Sequence, residues 1–233
     1  MKKLVIVPCY NESEAIVHTV REIEAKAPDF DYIVVNDCST DGTRDLLLQN
    51  QIHFLDLPVN LGIGGAVQTG YLYAKENDYD VAVQVDGDGQ HDPAFLPLMA
   101  ERLAKEQADM VIGSRFIEKE GFQSTFARQM GIRYFTRLIR HVTGMTITDP
   151  TSGLRMVGRK LIAAFAEEYP KDYPEPESTV FALKNGSRVL EVPVVMRARQ
   201  GGKSSISLNR SVYYMIKVSM AILVEGKRKH AGL

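Results

Sequence analysis

Two carboxylates two residues apart, Asp86 and Asp88, stand in the run Val85-Asp86-Gly87-Asp88-Gly89-Gln90. On an extended chain, residues i and i+2 project to the same side. Glycines at 87 and 89 let the backbone turn and let a ligand come close. Hard oxygen donors of this kind suit Mg²⁺ or Mn²⁺, and an ion held by so few carboxylates usually bridges to a substrate phosphate. The same pair also arises as an Asp-Gly turn after a strand; its place at the end of an apolar run favours the metal. A second polar group, Pro8-Cys9-Tyr10-Asn11-Glu12, follows the first apolar run. Pro8 ends a ladder because it lacks an N–H, and Asn11 and Glu12 are placed to cap the next helix. A third group, Asn36 to Thr43, follows the second run. Asp37 is a candidate acceptor for a nucleobase imide or amide N–H, and Asp41 is placed to cap the helix behind it.

The elements that must hold these residues follow from hydrophobic periodicity. Apolar runs at 4–7, 32–35, 53–57, 81–85 and 110–112 alternate with helical patterns at 12–27, 43–50, 63–76 and 94–105. That alternation predicts an α/β fold, a mostly parallel sheet with helices on both faces. In such sheets ligands bind beyond the carboxyl ends of the strands. Asn11 and Glu12, Asp37, Asp86 and Asp88, and Ser114 and Arg115 all fall at those ends. Further on, a helix over 126–142 carries Arg133, Arg137 and Arg140 on one face and Met130, Tyr134 and Leu138 on another. Residues 151–158 read as a polar turn around Arg155, and 173–177 as a proline-rich acidic turn before a helix. A strand over 189–196, a basic glycine loop over 199–205 and a helix over 209–224 complete the chain. Tyr213, Tyr214 and Met215 read as core. With no repeat or linker, one domain is expected: a main unit over 1–208, with an amphipathic helix and basic tail over 209–233 as part of it.

The chain has 233 residues, of which 45% are hydrophobic and 24% charged, a globular composition rather than a disordered one. A net charge of -1 argues against bulk attraction to nucleic acid. Two cysteines make no disulfide framework, which fits a reducing cytoplasm, and the five histidines show no zinc spacing. The most apolar stretch, 212–224, is broken by Lys217 and is shorter than the ~18 residues of a membrane span. No dinucleotide or phosphate-loop glycine pattern is present, so Gly62-Ile63-Gly64-Gly65 reads as close helix–sheet packing. From Arg197 onward there are eight Lys or Arg against a single acid, Glu225. With the arginine face, this basic end is expected to meet an anionic membrane surface.

Five motifs in order resemble glycosyltransferase family 2, and within it the dolichyl-phosphate mannosyltransferase-like branch. They are Pro8-Cys-Tyr-Asn-Glu12, Asn36-Asp-x-Ser-x-Asp-Gly-Thr43, Asp86-Gly-Asp-Gly-Gln-His91, Gly113-Ser-Arg115 and Ser152-Gly-Leu-Arg155. The resemblance runs from Val5 to about Ser205. It implies a GT-A fold, a UDP-, GDP- or dTDP-sugar donor, Mn²⁺ or Mg²⁺, and inversion at the anomeric carbon. By position it puts Pro8, Tyr10, Glu12 and Asp37 around the nucleoside. Asp86, Asp88 and Gln90 fall at the metal and diphosphate, with Asp88 as the direct ligand. Arg115 and Arg128 match arginines near donor or acceptor phosphates, Asp149 and Arg155 an acceptor-side pair, and Arg199 and Lys203 a loop that closes on the diphosphate. Two departures stand out: both spacers of the acidic motif are glycine, where the branch reads closer to Asp-Ala-Asp-Leu-Gln-His-Pro-Pro, and the 173–177 turn is unlike the simplest members.

The expected activity is metal-dependent, inverting sugar transfer to a membrane-associated acceptor, with a polyprenyl phosphate in first place. A lipid phosphate is already anionic and needs orientation rather than a base. A sugar hydroxyl on a lipid-linked cell-envelope glycan would need a carboxylate, with Asp149, Glu175 and Glu177 as candidates. A non-catalytic nucleotide-sugar-binding subunit of a membrane complex is a third reading, which loss of Asp86 and Asp88 would have favoured. Many relatives carry transmembrane helices after the catalytic domain; here a separately encoded membrane protein would fill that role. The expected location is cytoplasmic, peripheral at the inner face of the membrane.

Overall fold

A computed structural model describes residues 1–118, 126–197 and 208–228, without the side chains of 126–128 and 208–212. The apolar runs form β1 (Lys3–Cys9), β2 (Asp31–Asn36), β3 (Phe54–Asp56), β4 (Val81–Gln84) and β5 (Met110–Ser114). Leu4, Val5, Ile6 and Val7 are all fully buried, as a strand covered on both faces must be. Helices α1 (Ile16–Lys26), α2 (Thr43–Gln49), α3 (Gly62–Glu76) and α4 (Leu96–Lys105) connect them. β1 pairs in parallel with β2 on one side and β4 on the other, and β3 extends the edge beyond β2. Alternate residues of β1 feed two cores. Leu4 and Ile6 pack with Val67 and Tyr71 of α3, and Val5 and Val7 pack with Ile16, Val20 and Ile23 of α1 and Met99 of α4.

The second half departs from expectation. The polar turn around Arg155 is instead β6 (Arg155–Gly158), followed by α6 (Arg159–Glu167). β6 is antiparallel and sits between β4 and β5. With β7 (Val189–Pro193) parallel to β5, the sheet order is β3-β2-β1-β4-β6-β5-β7. A four-residue strand opening on a charged residue carries too little periodicity to be seen in sequence. The acidic proline segment is not a turn before a helix but the first turn of α7 (Pro174–Lys184). Proline suits that position because the N–H it lacks would have no intrahelical partner, and Glu175 and Glu177 complement the helix dipole there. α5 (Phe126–Thr143) and α8 (Leu208–Lys227) lie close to their expected limits. α8 contributes Val218 and Ile222 to the core and sets Tyr214 edge to face with Phe135 of α5 at 5.6 Å between ring centroids. Tyr213, expected in the core, is 58% exposed. α1 starts at Ile16, so Asn11 does not cap it; its carboxamide accepts the Thr40 N–H at 2.8 Å and ties the loops after β1 and β2 together. Gly64 allows a close approach, but to the 170–171 loop after α6 rather than to the sheet as expected: a Cβ there would lie 2.1 Å from the Pro170 carbonyl oxygen.

Candidate active site

The sheet reverses its winding between β1 and β4, and a ligand crevice is expected outside the carboxyl ends of strands at such a switch point. A cleft of about 380 Å³ opens there, lined by Pro8, Tyr10, Glu12, Asp37, Asp86, Asp88 and Glu175 among others. Seven residues singled out in sequence thus meet on one rim. Asp37 is only 3% exposed. Its Oδ1 accepts the Leu61 N–H at 2.7 Å, its own N–H donates to the Cys9 carbonyl at 2.8 Å, and its carbonyl accepts from Asn60 Nδ2 at 3.1 Å. Asn60 also lines the cleft and was missed in sequence; its one signal was an Asn two residues ahead of the glycine that opens α3.

The acidic pair is built by the turn after β4. Asp86 Oδ1 accepts from Gln84 Nε2 at 2.9 Å, and the Asp86 N–H donates to His91 Nδ1 at 3.1 Å. The neutral ring therefore carries its proton on Nε2, which is buried without a hydrogen-bond partner among the described residues, 3.8 Å from Asp86 Oδ2. Gly153 closes this cradle: a Cβ there would stand 2.9 Å from Asp86 Oδ2 and 3.3 Å from His91 Cε1. His91 and Gly153 thus position the Asp86 carboxylate. Asp88 is 7% exposed and its Oδ1 accepts the Gln90 N–H at 3.0 Å. Gln90, expected at the metal, instead donates its side-chain amide to the Arg197 carbonyl at 3.3 Å and does not line the cleft. The cause is local pairing, since Arg197 N–H returns a bond to the Gln90 carbonyl and His91 bridges Met196. Among the described residues no cluster of three or more His, Cys, Asp or Glu could hold a metal. Two hard carboxylates fit Mg²⁺ or Mn²⁺ whose other positions are filled by substrate phosphate and water.

On the acceptor side, the expected pair of Asp149 with Arg155 is replaced by a different one. Asp149 is fully buried and takes a two-pronged bond from Arg115, Nε to Oδ2 at 2.6 Å and Nη2 to Oδ1 at 2.7 Å. A carboxylate so enclosed is no base for an acceptor hydroxyl. Arg155 is 1% exposed and spends its donors internally. Nε reaches the Ser152 carbonyl at 2.6 Å, Nη2 the Pro150 carbonyl at 2.8 Å, and Nη1 the Thr179 and Ser178 hydroxyls and the Glu175 carbonyl. It binds the 150–152 loop to α7 rather than a nucleotide sugar. Glu177 also lies away from the cleft, in a separate hollow with Glu168, Glu225 and Arg228, where burial and the neighbouring carboxylates raise its pKa. Glu175 remains in the cleft. Burial pushes its carboxyl above the usual range, Arg155 opposes that, and Asp86 adds to it.

That shift predicts a pH-dependent stability effect. A carboxyl whose folded pKa is raised stabilises the fold while protonated, and loses that contribution as the pH rises through the folded pKa. Glu175→Gln should therefore raise the melting temperature by a few degrees above pH 7, with the gain vanishing near pH 4, where the native carboxyl is neutral too. Thermal melts across that range read the effect; a variant less stable than the parent at pH 8 contradicts it.

Arg199 and Lys203, and the side chain of Arg128, lie outside the described residues. Among known proteins, the model of glycosyl transferase family 2 matches residues 4–165. An undecaprenyl-phosphate mannosyltransferase of Micrococcus luteus is 31% identical across the whole of both chains. A polyprenol monophosphomannose synthase of Mycolicibacterium smegmatis is 28% identical over 94% of this chain and 86% of its own. The crystal structure of glucosyl-3-phosphoglycerate synthase from Mycobacterium tuberculosis, in complex with Mn²⁺, UDP and phosphoglyceric acid, superposes with a TM-score of 0.75 at 19% identity. That likeness covers 100% of this chain and 81% of the synthase, and it establishes the GT-A fold. The motifs at the strand ends, the fold that gathers them and the family match agree: the chain is a glycosyltransferase and belongs to family 2, in its dolichyl-phosphate mannosyltransferase-like branch.

Proposed function

We propose that this enzyme transfers a sugar, with inversion, from a nucleotide-diphosphate sugar to a polyprenyl phosphate at the inner face of the membrane. The observation that carries the reading is the single cleft shared by Asp37, Asp86 and Asp88. It sets a buried carboxylate able to accept a nucleobase N–H beside a pair able to hold a divalent ion. Relatives whose names give undecaprenyl phosphate or polyprenol as acceptor align over nearly the whole chain.

Asp37, fixed by the Leu61 N–H and Asn60, orients the base, and Tyr10 and Pro8 wall the nucleoside. Asp86 and Asp88 would hold Mn²⁺ or Mg²⁺, which when bound supplies positive charge to the diphosphate leaving group. Glu175, on the cleft wall, would hydrogen-bond the donor sugar or serve a hydroxyl acceptor as its base. With Asp149 forked by Arg115 and Glu177 outside the cleft, neither is placed as a general base. An acceptor that arrives ionised needs none, whereas a sugar hydroxyl would have to use Glu175, the one candidate carboxylate left in the cleft. A water-soluble donor and a lipid acceptor meet at a membrane surface, hence the peripheral location.

The test is a panel of UDP-, GDP- and dTDP-sugars with undecaprenyl phosphate and Mn²⁺ or Mg²⁺, scored for glycolipid. Transfer only to hydroxyl acceptors, or none from any donor, overturns the reading. Asp37→Ala should weaken nucleotide binding about 10-fold or more, the loss of a hydrogen bond to a buried charged group, while metal dependence stays unchanged. Calorimetry showing unaltered nucleotide affinity would reduce Asp37 to a turn residue.

A further inference from the structure

We propose that the joined outer faces of α5 and α8 seat this protein in the headgroup layer of an anionic bilayer, with the apolar side chains of α8 as the anchor. The choice of a membrane as occupant rests in part on the polyprenyl-phosphate reading; the surface itself rests on geometry. Tyr213, Ile216, Met220, Leu223 and Val224 are 58%, 58%, 61%, 43% and 66% exposed. At about 100° per residue they fall within an arc of about 100°, a stripe about 16 Å long. The opposite side of α8 is the packed one, where Val218, Ile222 and Glu225 are buried. α5 widens the surface with Met130 and Tyr134, 55% and 45% exposed, and the Tyr134 hydroxyl shares a hydrogen bond with Ser219 of α8 at 3.1 Å. Met130 and Tyr134 do not lie on a separate face from the arginines, as the sequence suggested. They stand among exposed Arg133, Arg137 and Arg140.

A contiguous apolar patch of this kind on a surface marks an interaction site. Its charge selects the partner. α5 contains no acidic residue, and the single acid of α8, Glu225, is buried. The two helices thus expose apolar and cationic side chains and no acid of their own; exposed Asp172, at the border of the stripe, is neutralised by its ion pair with Lys217 of α8, and the pattern is that of a helix pair lying in the plane of an anionic interface. No helix among the described residues is long and apolar enough to cross a membrane. The patch also adjoins the cleft. Tyr214, next to the stripe, meets Tyr173 edge to face at 4.6 Å between ring centroids, and Tyr173 leads into α7 two residues before Glu175. Seating the stripe brings the Glu175 wall of the cleft to the headgroups, where a lipid phosphate stands.

This moves the anchor away from the basic tail. Arg228 is forked on Glu168 at 2.6 and 2.9 Å, and Lys229 lies outside the described residues. Attachment led by apolar insertion resists salt, whereas a purely electrostatic tail is screened off within a Debye length.

The test is flotation with vesicles of phosphatidylglycerol and phosphatidylcholine. The full chain should bind, and raising salt to about 0.5 M, where screening is nearly complete, should leave a substantial bound fraction. Ile216→Glu with Met220→Glu should lower binding at least tenfold at every salt concentration, with melting temperature and nucleotide affinity unchanged. Arg133→Gln, Arg137→Gln and Arg140→Gln together should weaken it only at low salt. In vesicles the double variant should lose glycolipid formation, yet match the parent on a short-chain, water-soluble polyprenyl phosphate. Equal vesicle binding by the double variant overturns the proposal. So does a parent that binds no vesicle, including one that self-associates and becomes monomeric on Ile216→Glu, since a second copy then covers the face. Vesicle binding with the predicted losses, but no transfer to any polyprenyl phosphate, refutes the assigned acceptor and leaves the membrane seat standing.

Discussion

Asp88→Asn should lower turnover by at least about two orders of magnitude, the scale on which removing one well-placed group that stabilises developing charge is felt. Asp88 lines the cleft at the end of β4 and is 7% exposed. Its Oδ1 already accepts the Gln90 N–H at 3.0 Å, a bond an asparagine oxygen can keep. The substitution therefore changes charge while preserving the turn, and its melting temperature should stay within a degree or two of the parent. In the proposed reaction the leaving diphosphate gains negative charge as the sugar departs, and the carboxylate would act by holding the cation that offsets this charge. Chelation with EDTA should reproduce the loss in the parent protein, and added Mn²⁺ should restore it there but not in the variant. Full turnover in EDTA would end the metal reading of Asp86 and Asp88 together.

Asp149→Asn should act on the fold before it acts on the chemistry. Asp149 is fully buried, and the Arg115 side chain is only 11% exposed. The carboxylate also accepts the Arg115 backbone N–H at 3.2 Å, and the Asp149 and Thr148 N–H groups donate to Glu191 at 2.8 and 2.7 Å. Removing the charge from one member of a buried pair leaves the other uncompensated, at a cost of about 3–5 kcal/mol. For a chain of this size that is a fall in melting temperature on the order of 10 °C. Replacing both partners with apolar residues, Arg115→Met with Asp149→Leu, should recover part of the stability, because no stranded charge remains. A catalytic base would behave in the opposite way. If Asp149→Asn melts like the parent but abolishes turnover, the enclosed pair is not structural and the acceptor is a hydroxyl.

The two cases differ in how far they could be read from sequence. Asp86, Asp88, Asp37, Tyr10 and Glu12 were legible because each follows an apolar run directly, and a parallel sheet brings strand ends to one rim wherever the runs come in the chain. The wall contributed by Glu175 was visible only as an acidic segment, and its neighbour Glu177 looked equivalent. Two residues apart on a helix they point about 200° from each other, so once α7 begins at Pro174 one faces the cleft and the other Glu168 and Arg228. Reading the same residues as a turn concealed that divergence.

The sequence by itself determined the α/β class, the first five strands, the acidic motif at the end of β4 and the family. These rest on local signals: runs of consecutive apolar residues, a period of 3.6 in the helices and short motifs of fixed spacing. The tertiary structure alone decided which polar side chains are spent. It pairs Asp149 with Arg115, 34 positions away, and encloses Arg155 among oxygens of the 150–152 loop and α7. It turns Gln90 to the Arg197 carbonyl, 107 positions on, and leaves Tyr213 and Ile216 exposed while Tyr214 enters the packing. A charged or aromatic residue has the same identity whether water, a cleft or a distant partner surrounds it. Its desolvation and its hydrogen bonds are set by groups remote in the chain, and those determine whether it can act.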